Sequence, residues 1–367
     1  MKFSVSQSAL DVALSVVSKG MASASTIPIL SGIYLKAADG VLELQTTDLT
    51  ISIRHKIAAN VEEPGEAVVS GKMLTSIVKT LPDAAVTFET VMHGVQIICD
   101  KSRFRLTALE PADFPEFPAF ELSQSVELPS AVLTSMVNKV YRVTSKDTAR
   151  PILHGVQLTV ENNTIRLVAT DSYRLAVCDT HVDTAGVESP FTAIVAGSTF
   201  HDVLSLPSMT DSVLIGTTDN QVVFVFGNTT FISRRIEGNF PNYRQLLTGS
   251  CSTTVKIPTA TFASALKRVS VIATSNPSVR FDVDADAGLM TLGASAPDQG
   301  ESSETIAVDA EGNSVQIALN HRYVSDCVNA ASDSDVLTLE LEGSMRPGIF
   351  KSFGTINYLY LLMPVRL

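Results

Sequence analysis

The residue types that most often carry out chemistry are scattered along this chain. Among its 367 residues are four cysteines and six histidines. The cysteines form no Cys-x-x-Cys pair and no two histidines stand four positions apart, so neither a zinc site nor a redox pair is indicated. We expect isolated reduced thiols, and the four are Cys99, Cys178, Cys251 and Cys327.

Motifs for phosphate binding or for an activated serine are missing from the sequence. Neither G-x-x-x-x-G-K nor G-x-G-x-x-G occurs, and there is no G-x-S-x-G turn. We therefore expect a protein that is not an enzyme and that needs no cofactor or metal.

Basic residues are concentrated in segments with helical spacing, although the formal net charge of −11 should repel nucleic acid. Only Asp11, Asp202 and Asp326 are acidic in these segments. A basic inner face within an acidic protein would give this pattern, but so would ordinary solvated helix faces, and both interpretations stay open. The cations are Lys19, Lys72, Lys79, Lys139, Arg142, Lys146, Lys267, Arg268 and Arg322.

Two kinds of periodicity predict the elements that carry these cations. Most of the chain alternates with period two, as in Val41–Gln45 and Thr164–Ala169, which predicts half-buried antiparallel strands. Six short segments instead place apolar residues near every 3.6 positions, which predicts amphipathic helices. In the first of these segments, Ser8 and Asp11 predict the N-terminal cap of the helix, and Gly20 predicts its C-terminal end. The six apolar stripes are Leu10, Ala13, Leu14, Val17; Met73, Leu74, Ile77, Val78, Leu81; Leu133, Met136, Val137, Val140; Phe200, Val203, Leu204; Phe262, Ala265, Leu266, Val269; and Tyr323, Val324, Cys327, Val328.

An internal repeat of roughly 120 residues orders these elements. Pro-Ile-Leu-x-Gly begins at Pro28 and again at Pro151, and a Thr-Asp pair ends at Asp48 and again at Asp171, both 123 positions apart. In the third copy 277–281 replaces the first motif, and the Thr-Asp pair is missing. Three similar α+β domains in tandem are predicted, with two helices each, over residues 1–121, 126–249 and 252–367.

Composition agrees with a folded protein. The chain is 45% hydrophobic and 18% charged, which allows sizeable cores. No apolar run reaches the roughly 18 residues of a membrane span, and 1–3 lead into alternating residues instead of a signal-peptide core. We expect a cytoplasmic location.

Five motifs in fixed order resemble those of the bacterial DNA polymerase III β subunits, the sliding clamps. They are Pro-Ile-Leu-x-Gly at 28–32 and 151–155, Thr-Asp at 47–48 and 170–171, Ala-Thr-Asp-x-x-Arg-Leu-Ala-Val at 169–177, Phe-Pro-x-Tyr-Arg at 240–244, and Met-Pro-Val-Arg-Leu at 363–367. The resemblance covers the whole chain. It implies a DNA clamp fold in a ring-shaped head-to-tail homodimer, with sheets outside and two helices per domain inside around double-stranded DNA. The expected partners are a replicative polymerase, the clamp loader and repair proteins.

The resemblance also implies three sets of site residues. The implied DNA-facing residues are Lys19, Lys79, Lys139, Arg142, Lys146, Arg150, Lys267 and Arg322. At the implied dimer interface Phe104 packs on Val271 and Ile272, borne on a helix, while Lys72, Arg103 and Arg105 face Asp298, Glu301 and Glu304. The implied cleft for partner peptides, whose aromatic or leucine side chains act as anchors, contains Arg150, Leu153, Thr170, Ser172, Tyr173, Arg174, Leu175, Pro241, Gln245, Leu246, Leu361, Met363, Pro364, Val365 and Arg366.

Several positions depart from the family pattern. Ser172-Tyr173 stands where glycine followed by a smaller aromatic residue is expected, and Gln245 stands where arginine is common. Ala24-Ser25 and Pro151-Ile152 replace expected DNA-contacting or aromatic residues. Two alternatives stay open: a three-domain β-rich ligand-binding protein or enzyme that uses the same cleft, and a structural repeat protein that assembles edge to edge.

Overall fold

A computed structural model describes residues 1–22, 26–182, 190–247, 251–273 and 276–366. The predicted Ala24-Ser25 departure and Leu367 lie outside these ranges.

The three repeats follow the same order of strands and helices, except that the described residues of the second show no counterpart of the short strands Asn60–Glu63 and Asp309–Gly312 of the other two. The first contains β1 (Lys2–Ser6), α1 (Gln7–Val17), β2 (Gly32–Ala38), β3 (Val41–Thr47), β4 (Ile51–Ala58), β5 (Asn60–Glu63), β6 (Gly65–Ser70), α2 (Gly71–Thr80), β7 (Ala85–Val91), β8 (Gly94–Cys99) and β9 (Ser102–Leu109). The second contains β10 (Gln124–Pro129), α3 (Ser130–Val140), β11 (Gly155–Glu161), β12 (Thr164–Thr170), β13 (Arg174–His181), β14 (Phe191–Ala196), α4 (Gly197–Leu204), β15 (Ser212–Thr217), β16 (Gln221–Phe226) and β17 (Thr229–Arg234). The third contains β18 (Thr253–Pro258), α5 (Thr259–Val269), β19 (Ser278–Asp284), β20 (Leu289–Ala296), β21 (Gly300–Ala307), β22 (Asp309–Gly312), β23 (Val315–Asn320), α6 (His321–Ala330), β24 (Val336–Leu341), β25 (Gly348–Ser352) and β26 (Asn357–Leu362).

The chain forms two compact units. Unit 1 comprises residues 1–134 and 201–235, and unit 2 comprises residues 135–200 and 236–367. Unit 1 holds one sheet in the order β10-β15-β16-β17-β4-β3-β2-β6-β9-β8-β7-β1-β5. Unit 2 holds a sheet in the order β14-β11-β12-β13-β26-β25-β24-β18-β22 and a second in the order β21-β20-β19-β23.

The sheets run across the limits of the sequence repeats. In unit 1, β4 of the first repeat pairs antiparallel with β17 of the second. In unit 2, β13 of the second repeat pairs antiparallel with β26 of the third. Because half of the central repeat joins each neighbour's sheet, the compact units do not coincide with the repeats.

The apolar stripes bury one face of each helix, as the periodicity predicts. In α1 the buried residues include Leu10, Ala13, Leu14 and Val17. Of all the predicted stripe residues, Met73 is half exposed and Tyr323 partly exposed, and the others are buried. Each fully buried leucine or phenylalanine contributes roughly 1.5–3 kcal/mol by leaving water.

The predicted N-terminal cap of α1 is wrong by two residues. Helix α1 begins at Gln7, and the Ser6 hydroxyl accepts a hydrogen bond from the Ala9 amide at 3.3 Å. Ser8 lies inside the helix, because β1 passes directly into α1 and Ser6 is the last extended residue. Such a cap contributes roughly 0.5–2 kcal/mol.

The repeated Pro-Ile-Leu block has a local structural explanation. Pro28–Ser31 and Pro151–His154 each form one turn of 3₁₀ helix with proline at its start. A Cβ atom on Gly32 would lie 2.7 Å from the Val68 side chain of the paired strand, and one on Gly155 would collide with Ile194. Glycine is therefore required where each turn enters its strand.

Candidate functional site

None of the four cysteines forms a disulfide. Cys99, Cys178 and Cys327 are buried and Cys251 is exposed, and all four are free, as predicted. Burial raises the pKa of Cys178 and of Cys327, which keeps both thiols protonated and unreactive. Within the described ranges, no group of three or more His, Cys, Asp or Glu side chains could hold a metal ion. In the same ranges no helix is long and apolar enough to cross a membrane.

The Thr-Asp pair of the second repeat builds a tight turn between β12 and β13. The Thr170 hydroxyl donates a hydrogen bond to the Arg174 carbonyl at 2.7 Å. Asp171 Oδ1 accepts hydrogen bonds from the amides of Tyr173 at 2.9 Å and Arg174 at 3.0 Å. The turn places Ser172 at φ 79°, in the left-handed region that favours glycine. Tyr173 projects from the turn and is 61% exposed.

The first repeat builds the same turn from the same pair. Thr47 donates to the Ile51 carbonyl at 2.8 Å, and Asp48 Oδ1 accepts from the Thr50 and Ile51 amides at 2.8 and 2.7 Å. Leu49 has φ 73°. The Thr-Asp repeat is thus explained by turn chemistry in both copies, and the second copy alone offers an exposed aromatic side chain at its tip.

A cavity of about 860 Å³ beside the turn is lined by Arg150, Tyr173, Tyr323 and Arg174, and the predicted peptide-contact role of Arg174 stays a prediction. Arg174 itself is mostly buried. Only 7% of it is exposed. Its guanidinium donates to Asp171 Oδ2 at 2.9 Å and to Asp326 Oδ2 at 2.6 Å. It also donates to the Tyr360 hydroxyl at 3.1 Å and the Arg142 carbonyl at 2.7 Å.

The charges around Arg174 keep it ionised. Burial alone would lower its pKa, but Tyr360, Asp326 and Asp171 more than offset this and raise the pKa above its ordinary value. The guanidinium carbon also lies 4.1 Å from the centre of the Tyr323 ring. Arg174 therefore joins the turn, α6 and β26 into one rigid support.

Strand alternation places an apolar cluster on the opposite face of β13 from Arg174. Val168, Leu175, Val177 and Leu361 are buried together in this cluster, and β13 and β26 pair Leu175 with Leu361 and Val177 with Leu359. Packed against it and partly buried are Phe240, Tyr243, Leu247, Ile349 and Leu359. Leu175 and Leu361 are thus buried within this cluster, and their place beneath the predicted cleft stays a prediction.

The other cleft residues divide by exposure. Leu153 and Thr170 are buried, and Pro364 and Val365 are partly buried. The exposed members are Arg150, Ser172, Tyr173, Pro241, Gln245, Leu246, Met363 and Arg366. Arg150 donates to the Ser172 hydroxyl at 2.8 Å, and the Met363 amide donates to the Tyr173 carbonyl at 2.9 Å. The segment after β26 is therefore fixed beside the turn. Among all the predicted cleft residues, the large exposed apolar side chains are Tyr173, Leu246 and Met363.

The predicted DNA-facing cations are solvent-exposed except for Lys139. Lys139 is only 7% exposed, and its ammonium donates to the Ala330 carbonyl at 2.6 Å and to Asp333 at 2.7 Å. The Ala330 carbonyl is at the end of α6, where a cation is favoured by the helix dipole, and the DNA-facing role of Lys139 stays a prediction. Lys19 is exposed but pairs with Asp202 at 3.2 Å. The remaining exposed members are Lys79, Arg142, Lys146, Arg150, Lys267 and Arg322.

Five of the predicted interface residues lie on two strands that each have an open side: Arg103, Phe104 and Arg105 on β9, and Glu301 and Glu304 on β21. Among the residues that the structure describes, 102–107 of β9 pair only with β8, since β6 reaches β9 only at Ala108 and Leu109. In the described part of the chain, β21 pairs only with β20. Val271 and Ile272 follow α5 and are not on it, because α5 ends at Val269; Val271 is 68% exposed. Glu304 already bonds Arg268, at 2.5 and 2.8 Å.

Comparison with known proteins agrees with this architecture. Models of the DNA polymerase III beta subunit match its N-terminal domain to residues 1–118, its central domain to 127–242 and its C-terminal domain to 244–366. The chain is 30% identical to the beta sliding clamp of Synechocystis and 29% identical to that of Streptomyces coelicolor, over 100% of both proteins in each case. The crystal structure of the Bacillus subtilis sliding clamp is 27% identical, with a TM-score of 0.93, and covers 100% of this chain and 99% of that one.

The fold is therefore that of a sliding clamp, with three tandem clamp domains. The chain belongs to the DNA polymerase III beta subunit family, whose members are non-catalytic processivity factors of DNA replication. The exact limits of the domains, given above as 1–121, 126–249 and 252–367, stay a prediction.

Proposed function

We propose that two copies of this chain close head to tail into a ring around double-stranded DNA in the cytoplasm, and that the ring tethers the replicative polymerase. The observation that carries this proposal is the pair of open strand sides with opposite charge. Arg103 and Arg105 are on β9 and Lys101 directly precedes it, and all three are exposed. Glu301 is on β21 and Asp298 precedes that strand by two residues, and both are exposed. A β9 from one copy can add to a β21 from the other, and such a heterologous contact closes when it occurs twice.

The apolar part of this interface has candidates on both sides. Phe104 is partly buried on β9, and Val271 is exposed after α5. Burying two such side chains stabilises the contact, while Lys72, Arg103 and Arg105 facing the acidic strand fix its orientation. When the ring closes, Glu304 would either exchange its ion pair with Arg268 for one with a basic residue of the other copy, or be shared by both cations.

Retention on DNA follows from enclosure. Exposed lysines and arginines attract phosphates without reading bases, so binding is independent of sequence. These contacts are individually weak and let the ring slide. The ring leaves only when an interface opens, so interface lifetime sets processivity.

The surface around Tyr173, Leu246 and Met363 is the proposed cleft for peptides of the polymerase, the clamp loader and repair proteins. Large exposed apolar groups on a rigid support are typical of peptide-docking sites. The solved clamp of Bartonella birtlesii, 25% identical with a TM-score of 0.93 over 100% of both chains, is bound to griselimycin. That clamp therefore has a ligand site, which supports a binding role for the fold.

A linearisation experiment tests the ring. Purified protein is loaded by its clamp loader onto a nicked circular DNA, the complex is isolated, and the DNA is cut once. A ring should slide off the new ends within minutes while uncut circles retain it. Protein that stays on the linear DNA, or a chain that instead binds small ligands without loading, would favour the alternative ligand-binding or edge-assembling proteins.

A further inference from the structure

A second groove in unit 2 lies next to the proposed cleft. It has a volume of about 430 Å³, and we call it the flanking groove. Val177, Leu247 and Leu359 line the groove. Val177 belongs to the apolar cluster beneath the proposed cleft, and Leu247 and Leu359 pack against that cluster. Leu175 and Val177 are two positions apart on β13, so a cluster residue beneath the proposed cleft and a groove residue are separated by roughly 6.6 Å.

The groove has an exposed aromatic rim. Phe353, in the turn between β25 and β26, lines the groove and is 72% exposed. A phenylalanine with so much of its ring in water contributes little to the core. Its position beside a continuous apolar strip indicates a contact that a bound chain would cover.

The groove is also positively charged. Its lining includes Arg166, Arg244 and Lys351 against a single carboxylate, Asp179. Asp179 already accepts from Asn357 at 3.1 Å and lies 3.6 Å from Arg166. Lys351 pairs with Glu340 at 2.6 Å.

Of the three cations that line the groove, Arg244 is the one that forms no ion pair with a described residue. It is exposed at the groove, and the described part of the chain records no ion pair for it. A carboxylate entering the groove would meet this guanidinium without displacing an existing pair. An apolar strip beside such a cation suits a peptide that carries an apolar and an acidic residue.

We propose that the flanking groove binds the continuation of the partner peptide, with an acidic side chain facing Arg244. The proposal rests on the proposed function of the cleft and extends it by a second recognition element. Partners with an acidic residue flanking the anchor would then bind more tightly than partners without one, which lets one cleft rank several ligands.

Two fluorescein-labelled peptides test the proposal against the full-length protein by polarisation. Both carry a Leu-Leu-Phe anchor with a two-residue extension at each end; the extensions are Ala-Glu in one peptide and Ala-Gln in the other. The wild-type protein should bind the glutamate peptide about two- to fivefold more tightly, the range of an exposed ion pair. Arg244→Gln should remove this preference and leave the glutamine peptide's affinity unchanged.

Arg235→Gln is the matched control, since Arg235 is exposed and does not line the groove. It changes the net charge equally and should keep the preference. Equal binding of both peptides by the wild-type protein, or the same loss in the Arg235 variant, would refute the flanking groove while leaving the cleft standing. If neither peptide binds, the cleft assignment fails and the groove proposal fails with it.

Discussion

Single residues decide how rigidly the turn of the second repeat is held. Ser172 occupies a backbone conformation that costs most L-residues roughly 1–2 kcal/mol. It is also the position at which the family pattern leads us to expect glycine. The strain is compatible with a stable protein because Thr170 and Asp171 fix the turn by side-chain hydrogen bonds.

Replacing Ser172 tests this strain directly. Ser172→Gly should leave the thermal-unfolding midpoint unchanged or raise it, because glycine adopts positive φ freely. Ser172→Val should lower it by an amount equivalent to about 1–2 kcal/mol, since a β-branched side chain tolerates this region worst. Differential scanning calorimetry of both variants gives the answer, and identical midpoints would show that the turn relaxes.

Arg174 is the residue whose loss should cost most. Arg174→Met would leave Asp171 and Asp326 without their buried cation, with an expected destabilisation of roughly 3–5 kcal/mol. Lys256→Met is the control, because the Lys256–Asp309 pair is exposed to solvent and should contribute little to stability. Chemical denaturation compares the two, and similar losses would contradict a supporting role for Arg174.

At the scale of elements, the pairing of β4 with β17 has a titratable group in its interior. His55 on β4 is 6% exposed, and its Nδ1 lies 2.9 Å from the Thr229 hydroxyl on β17. Burial lowers the pKa of His55 below its ordinary value. The neutral imidazole is therefore the form that fits this strand pair.

The lowered pKa of His55 determines the direction in which stability changes with pH. Above the unfolded-state pKa of about 6.5, His55 is neutral in both states and its contribution is complete. As pH falls below 6.5 the unfolded state gains the proton first, so stability is lost until the lower folded-state pKa is passed. Between pH 7.5 and 5.5 the melting midpoint should fall more for the wild-type protein than for His55→Gln. Parallel curves would exclude His55 as the cause.

Residues 363–367, which follow β26, can be removed without removing a strand. Strand β26 ends at Leu362, so deleting 363–367 spares the β13–β26 pairing but removes Met363 from beside Tyr173. Polymerase stimulation should be lost while the size measured by sedimentation stays that of the untruncated protein. A monomer after truncation would mean that the cleft is misplaced.

At the scale of the whole molecule, assembly depends in our proposal on one basic and one acidic strand side. Reversing the charges with Arg103→Glu and Arg105→Glu places acids opposite Asp298 and Glu301 of the other copy. Analytical ultracentrifugation should then show monomers at concentrations where the wild-type protein is a dimer. Arg142→Glu with Lys146→Glu changes the charge equally at exposed residues outside β9, β21, α2 and α5, and should leave the dimer intact.

The sequence by itself determined the repeat, the six helices and the family. Apolar spacing near 3.6 residues marks a buried helix face wherever it occurs, so Leu10–Val17 and Phe262–Val269 were predictable locally. Recurrence of Pro-Ile-Leu-x-Gly and Thr-Asp at constant offset identified tandem domains, because each motif forms its turn from neighbouring residues alone.

Only the tertiary structure decided which charged and apolar side chains are open to a partner. Lys139 and Arg174 look like other basic residues in the sequence, yet each is buried because acids and carbonyls from α6, more than 150 positions away, surround it. Leu175 and Leu361 likewise come together in one buried cluster only because β13 pairs with β26. Burial and pairing between distant segments are set by the packing of whole elements, which no local pattern contains.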